Sequence, residues 1–268
     1  MYGAIVGDII GSTFEVENHR SKFFLLFRPD ARFTDDTVCT IAVADILQSK
    51  THELGAEAIA DKLRSWCVSY LNRGYGTLFY QWLVSGVNTP YKSYGNGCLM
   101  RISPVALYGI KKNLSIEETL NIAKSITAIT HNHIEALTAV YCYVEILYML
   151  LKNKYSIHDA KEIIFNILSK YGYQYPDNIS NYQIKLGNDL RASQSLLVAC
   201  AGVLEADSVK ESFENIVSVG GDTDTYCAIA GPIAESIWGL EDTLVNKAKK
   251  YFREFDKELL EIMNKTYE

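Results

Sequence analysis

Apolar residues recur at helical spacing along nearly the whole chain. Over residues 34–48, Val38, Ile41, Ala42, Ala44 and Ile46 give the pattern of a mostly buried helix. Over 53–72, Leu54, Ala58, Leu63, Trp66, Val68 and Leu71 alternate with charges on one helical face. Ser115-Ile116-Glu117-Glu118 has the form of a capping box ahead of an apolar run at 119–129. A long apolar run at 134–151 and an amphipathic one at 156–170 follow. Helices are then expected at 192–205, 208–218, 224–238 and 241–263. Phe23 to Phe27 is a short apolar run, strand or packed loop, and Pro29-Asp30 marks a turn. Two stretches break the periodicity. Residues 73–101 carry Gly74, Gly76, Gly86, Gly95 and Gly97, and residues 171–189, around Pro176, read as a surface loop. No hairpin signal and no fixed-period repeat occurs. The pattern predicts an all-α fold, one compact orthogonal bundle of roughly ten or more helices spanning residues 1–268 as a single domain.

The N-terminal run MYGAIVGDIIGST places Gly3, Gly7 and Gly11 four apart, on one helical face. Each glycine weakens a helix by about 1 kcal/mol relative to alanine. Such a stripe therefore calls for close backbone packing, or a ligand against that face. Glu15 follows directly. Alone it reads as a surface acid; after a buried glycine-rich helix it is a candidate site residue.

Two acidic stretches carry the chemistry. Gly220-Gly221-Asp222-Thr223-Asp224-Thr225 puts two carboxylates two residues apart, each followed by a hydroxyl, ahead of an apolar helix. Phe33-Thr34-Asp35-Asp36-Thr37 likewise leads into a helix. Either alone reads as a helix N-cap. A cap needs one such side chain, whereas each stretch offers four or more oxygens of the kind hard divalent cations take. The expectation is that the two meet around a pair of metal ions. Gly95-Asn96-Gly97 is a turn signal whose backbone amides suit phosphate or hydroxyl-rich ligands, and Arg101 after it would meet a phosphate or pin the loop to a carboxylate. In His131-Asn132-His133 the histidines stand two apart and do not share a helical face, so a zinc pair is not expected.

Composition removes several alternatives. Net charge is −6 with pI about 5.5, so no basic surface for nucleic acid is advertised. The six cysteines are scattered singly, without a CxxC pair, which argues against cysteine-bound zinc. Cys39, Cys142, Cys200 and Cys227 read as small buried hydrophobes. The first residues lack a basic segment, and Asp8 interrupts their apolar run, which argues against a signal peptide. No uninterrupted apolar run reaches membrane-spanning length. A cytoplasmic location in a reducing compartment is expected.

GAIVGDIIGSTFE at 3–15, FTDDT at 33–37, YGNGCLMR at 94–101, THNH at 130–133 and GGDTDT at 220–225 together resemble the ADP-ribosylglycohydrolase family, in this order and across nearly the whole chain, and the chain looks like its short bacterial members. Cys98 stands where the family pattern usually has Ala or Ser. The resemblance implies an all-α fold with a binuclear centre of two Mg²⁺ (or Mn²⁺) held by Thr34, Asp35, Asp36, Asp222, Asp224 and Thr225, with Asp224 bridging. It implies that Gly95, Asn96 and Gly97 line an ADP-ribose site with His131 near the adenosine or ribose. Glu15 or Asp36 would activate water or donate a proton. The implied reaction is metal-dependent hydrolysis of the glycosidic bond between ADP-ribose and a protein side chain or small molecule, with no membrane partner. The competing readings are a non-catalytic ADP-ribose-binding module and a two-metal nucleotide phosphoester hydrolase.

Overall fold

The computed structural model describes residues 1–17, 19–174, 178–182 and 189–267. Its first helices are α1 (Tyr2–Gly11), α2 (Phe14–Glu17), α3 (Asp35–Gln48), α4 (Ala56–Val68) and α5 (Thr77–Ser85). Then come α6 (Ser103–Lys111), α7 (Ile116–Ala128), α8 (Ile134–Lys152), α9 (Ile157–Lys170) and α10 (Ala192–Leu204). The chain closes with α11 (Val209–Val219), α12 (Thr223–Trp238), α13 (Asp242–Lys249) and α14 (Lys257–Tyr267). Among the described residues there is no strand, only an isolated antiparallel bridge between Gly95 and Arg191. The all-α expectation holds. One contiguous apolar core draws on residues from Met1 to Met263.

The crossing of α1 and α12 sets the frame. Gly3, Gly7 and Gly11 lie against the backbone of α12, at Gly231, Cys227 and Thr223–Asp224 respectively. Close packing, not a ligand, explains the stripe. The contact runs down to the N-terminus of α12, where Thr223 Oγ1 donates to Gly11 O at 2.9 Å. It thereby fixes the end of the helix that carries Asp222 and Asp224.

Several boundaries differ from the sequence expectation, each for a local reason. The helix expected at 53–72 begins at Ala56, because Gly55 adopts φ +98° after a short 3-10 turn at Thr51–Leu54. Within the glycine-broken stretch lies α5, delimited by Gly76 and Gly86, and it buries Phe79, Trp82 and Leu83. Arg64 holds its C-terminus, stacking at 4.2 Å on Trp82 and donating to Leu83 O at 3.2 Å and Val87 O at 2.8 Å. The single helix expected at 241–263 is two, α13 and α14. Between them the chain turns so that Phe252 stacks on Phe33 at 4.7 Å and Tyr251 Oη donates to Arg28 O at 2.8 Å. Residues 23–27 form a packed loop in which Phe24, Leu26 and Phe27 touch the core. The Ser115–Glu118 capping box forms on α7. Most of the surface loop expected at 171–189, including Pro176, lies outside the described residues. Helix α8 is long and apolar enough to cross a bilayer. It instead packs among α6, α7, α10 and α12, and Tyr143 Oη at its centre donates to Ile229 O at 2.8 Å.

Candidate metal centre and binding cavity

The N-termini of α3 and α12 converge on one cavity of about 360 Å³. Thr34 is the N-cap of α3, its Oγ1 accepting from Asp36 N at 3.3 Å. Asp222 occupies the same position on α12, preceded by Gly220 at φ +74° and Gly221 at φ +78°. Both glycines sit in the left-handed region, which turns the chain sharply into the helix. The free amides of the two helix starts favour anionic side chains there.

Thr34, Asp35, Asp36, Asp222, Asp224 and Thr225, all expected as ligands from sequence, line this cavity, whereas Thr223 faces α1. Asp36 and Asp224 are buried, and Thr225 Oγ1 lies 3.4 Å from Asp36 Oδ2, joining the two helices. Carboxylate oxygens gather in two groups, each within 4.8 Å: Asp8, Asp36 and Asp224, and Glu15, Asp222 and Asp224. Asp224 belongs to both. Asp35 lines the cavity half-buried, its amide held by Arg73 O at 3.0 Å.

Asp8 joins the site although nothing in the sequence singled it out for one. It is fully buried in α1 and accepts from Thr34 N at 2.9 Å, Thr34 Oγ1 at 2.7 Å, Thr37 N at 3.1 Å and Thr37 Oγ1. It thus pins the start of α3 from below. A carboxylate inside an apolar, glycine-striped helix is costly unless bonded. That cost is the signal by which a structural partner could have been expected; Asp8 stands in the GAIVGDIIGSTFE stretch but was not expected as a site residue.

The electrostatics are dominated by buried, mutually repelling carboxylates. Burial raises the pKa of Asp36 and Asp224 well above the usual carboxylate value, and neighbouring acids push both further. Asp35 is raised by desolvation as well. Asp8 rises by burial, with its hydrogen bonds opposing the shift. Glu15, on the rim, rises through desolvation and Asp222, with Arg32 opposing. Asp36 Oδ1 is buried with no hydrogen-bond partner. An orphaned carboxylate oxygen inside an all-oxygen donor set fits a hard divalent cation. Neither acid group contains cysteine or histidine, which suits an oxygen-seeking ion over zinc.

The other wall is built by the glycine loop and the His131 turn. Asn96 opens a 3-10 turn, and its Nδ2 donates to Asp222 Oδ2 at 2.6 Å and Ser195 Oγ at 3.0 Å. The loop is anchored by Asn96 N on Leu190 O at 2.8 Å and Ala192 N on Tyr94 O at 2.9 Å. Gly95 and Gly97 both face the cavity, and a side chain at Gly97 would come within 3.5 Å of His131 Nε2. Cys98 is buried beneath, its Sγ donating to Gly95 O at 3.3 Å.

Arg101 lines the cavity and pins no carboxylate among the described residues. Fully buried, it donates to Thr130 Oγ1 at 2.6 Å and approaches His131 Nδ1 at 3.4 Å. Thr130 Oγ1 lies 2.8 Å from the same nitrogen. Because Arg101 only donates, Nδ1 is the acceptor, and neutral His131 carries its hydrogen on Nε2, which lies beside Gly97. Burial, then Arg101, hold the pKa of His131 well below its usual value. His133 instead caps α8, accepting from Glu135 N at 3.2 Å. Arg32, Arg73 and Tyr91 also line the cavity, and none was singled out from sequence.

Known proteins resemble this chain over most of its length. The chain is 25% identical over 309 residues to ADP-ribosylhydrolase ARH3 of Mus musculus, covering 89% of this chain and 82% of that protein. It is also 25% identical over 261 residues to an uncharacterised protein of Archaeoglobus fulgidus, covering 86% and 84%. A solved structure described as an ADP-ribosylglycohydrolase-related protein complex superposes with a TM-score of 0.68 over 99% of this chain and 94% of its own. At 20% identity that likeness speaks for the fold. The sequence model of ADP-ribosylglycohydrolases matches residues 1–265, and the chain belongs to the ADP-ribosylglycohydrolase family.

Proposed function

We propose that the protein hydrolyses the glycosidic bond between ADP-ribose and a protein side chain or small molecule, releasing ADP-ribose. The observation that carries this reading is the orphaned Asp36 oxygen in the first of two acid groups that share Asp224, in a cavity walled by the Asn96 loop. Thr34, Asp35, Asp36, Asp222, Asp224 and Thr225 would hold two Mg²⁺ or Mn²⁺ ions, with Asp224 common to both. Bound there, the ions would supply positive charge that polarises a water and the ribose hydroxyls.

The chain's own groups do the rest. Gly95, Asn96 and Gly97 would line the ADP moiety, with Asn96 held in place by Leu190, Ser195 and Asp222, and His131 offers Nε2–H beside them. Asp36 is buried and tied to Thr225, which suits a ligand better than a proton carrier. Glu15 stands at the exposed rim with a raised pKa. It would move a proton at the water or the leaving atom as positive charge develops on the ribose. Asp8 holds the α3 start, and so keeps Asp35 and Asp36 in register.

The test is hydrolysis of defined ADP-ribosylated substrates by chelated protein with and without Mg²⁺ or Mn²⁺, with products separated by chromatography. Free ADP-ribose, lost on chelation, is expected. In Glu15→Gln, turnover should fall about a hundredfold or more, while calorimetric ADP-ribose affinity stays within about tenfold. Released phosphate would replace this reading with phosphoester hydrolysis. Tight ADP-ribose binding without cleavage of any substrate would leave a binding module.

A further inference from the structure

Arg32 and Arg73 line the cavity and also a second groove of about 600 Å³ beside it. Lys250 and Arg253 line the remainder, between the aromatic surfaces of Tyr70 and Phe255. Among the described residues no aspartate or glutamate lines this groove, although the whole chain carries a net charge of −6. Four cations line this groove without an acid, with exposed Asp30 and Glu254 at its flanks; a second basic groove, lined by Lys50, Lys111, Lys112 and Lys265, shares no residue with the cavity.

The cations are differently prepared. Arg73 is half-buried and preorganised: its guanidinium stacks at 3.6 Å on Phe33, and Nη1 donates to Phe33 O at 3.1 Å. Asp256, fully buried, offsets part of its charge and accepts from Arg253 N at 2.7 Å. Arg32, Lys250 and Arg253 are exposed, and among the described residues none is ion-paired to a carboxylate. Asp30, nearby, is engaged by Arg28 at 3.1 Å. Phe255 is 65% exposed, an uncovered aromatic at the groove's edge.

The groove opens at a particular edge of the cavity. Arg32 neighbours Glu15, and the Arg73 carbonyl holds Asp35. The Asn96 loop instead adjoins Asp222 and His131. With the ADP moiety at the loop, the leaving group departs past Glu15 toward the groove. We infer that the groove is an acceptor-side subsite that selects ADP-ribosylated peptide segments carrying carboxylates beside the modified residue. The inference rests on the hydrolase reading for its substrate, though not for the groove's preference for acidic peptide. Guanidinium forks match carboxylates in geometry. The short cationic surface suits a few side chains, whereas the negative charge elsewhere opposes a long phosphodiester backbone.

Two measurements test this. The first compares peptides ADP-ribosylated on the same side chain, with glutamate-rich or glutamine-rich flanks, and a small ADP-ribosyl conjugate without a peptide. Acidic flanks should raise kcat/KM about tenfold at low salt, mainly through KM. The preference should shrink at about 0.5 M salt, where charges beyond a few ångströms are screened. Lys250→Glu with Arg253→Glu should abolish it, leaving hydrolysis of the small conjugate unchanged, which also shows that the variant is folded. Equal kcat/KM for both flanks while the small conjugate is cleaved would overturn the subsite and leave the hydrolase reading standing. The second measurement is anisotropy of labelled, unmodified glutamate-rich peptide, which needs no turnover. It should lose affinity about tenfold in the double variant and also in Lys250→Gln with Arg253→Gln, though less steeply. Unchanged affinity, or tighter binding of a single-stranded oligonucleotide of equal charge, would overturn the proposal even if no substrate is cleaved.

Discussion

Replacing Gly7 by alanine would put one methyl group between two helix backbones. In an isolated helix the change stabilises by about 1 kcal/mol. Here the new Cβ would lie 2.5 Å from the carbonyl carbon of Cys227, closer still to its oxygen, and 3.0 Å from Ala228 N. These are main-chain atoms, so no rotamer change relieves the contact, and α1 must move off α12. Overpacking a tight site costs about 1–3 kcal/mol, and backbone meeting backbone belongs at the upper end. Subtracting the helical gain leaves a net cost of about 2 kcal/mol. For a chain of this size that lowers Tm by about 4–8 °C. Gly76→Ala is the control, because a methyl there would meet nothing within 4 Å and its φ is an ordinary −58°. It should cost about 1 kcal/mol or less. The displacement also matters for the site, since α1 carries Asp8 and α12 carries Asp222 and Asp224. Thermal unfolding of wild type, Gly7→Ala and Gly76→Ala, each with and without Mg²⁺, is the assay. A Gly7→Ala protein at least as stable as wild type would refute the account of the glycine stripe.

Asp224→Asn should act with opposite signs in two states. Without metal it removes a buried charge that its neighbours disfavour, so the apo Tm should match or exceed wild type. With Mg²⁺ at about 100 times Kd, wild type should gain about 2.7 kcal/mol, and the variant should gain far less. An unchanged metal-induced shift in Asp224→Asn would remove it from the centre. His131→Gln should flatten the acid limb of the stability profile. The folded-state pKa of His131 is depressed, so its contribution is complete above about pH 6.5 and is lost as pH falls toward the folded value. Between those limits wild type should lose up to about 1.4 kcal/mol per pH unit more than the variant. Parallel urea-unfolding profiles from pH 7 to pH 5 would show that His131 is not held neutral by Arg101 and burial.

Periodicity alone specified the helical class and most helix positions, because each helix buries one face and the apolar spacing records it. It also specified local chemistry: the capping box at Ser115, and the two stretches where hydroxyls and carboxylates exceed what an N-cap needs. Boundaries failed where tertiary contacts outweighed propensity, at Phe252, which docks on Phe33, and at α5, whose flanking glycines masked a nine-residue helix that buries Phe79 and Trp82. The sequence left open what the glycine stripe meets, because spacing names a face and not its partner. Only the tertiary structure brings Asp8 under Thr34 and Thr37, sets Arg101 on Thr130 and His131, and joins Arg32 and Arg73 to a groove with Lys250 and Arg253. Those groups lie far apart in sequence, and each alone reads as an ordinary charge. Their meaning comes from burial and proximity, which local pattern does not encode.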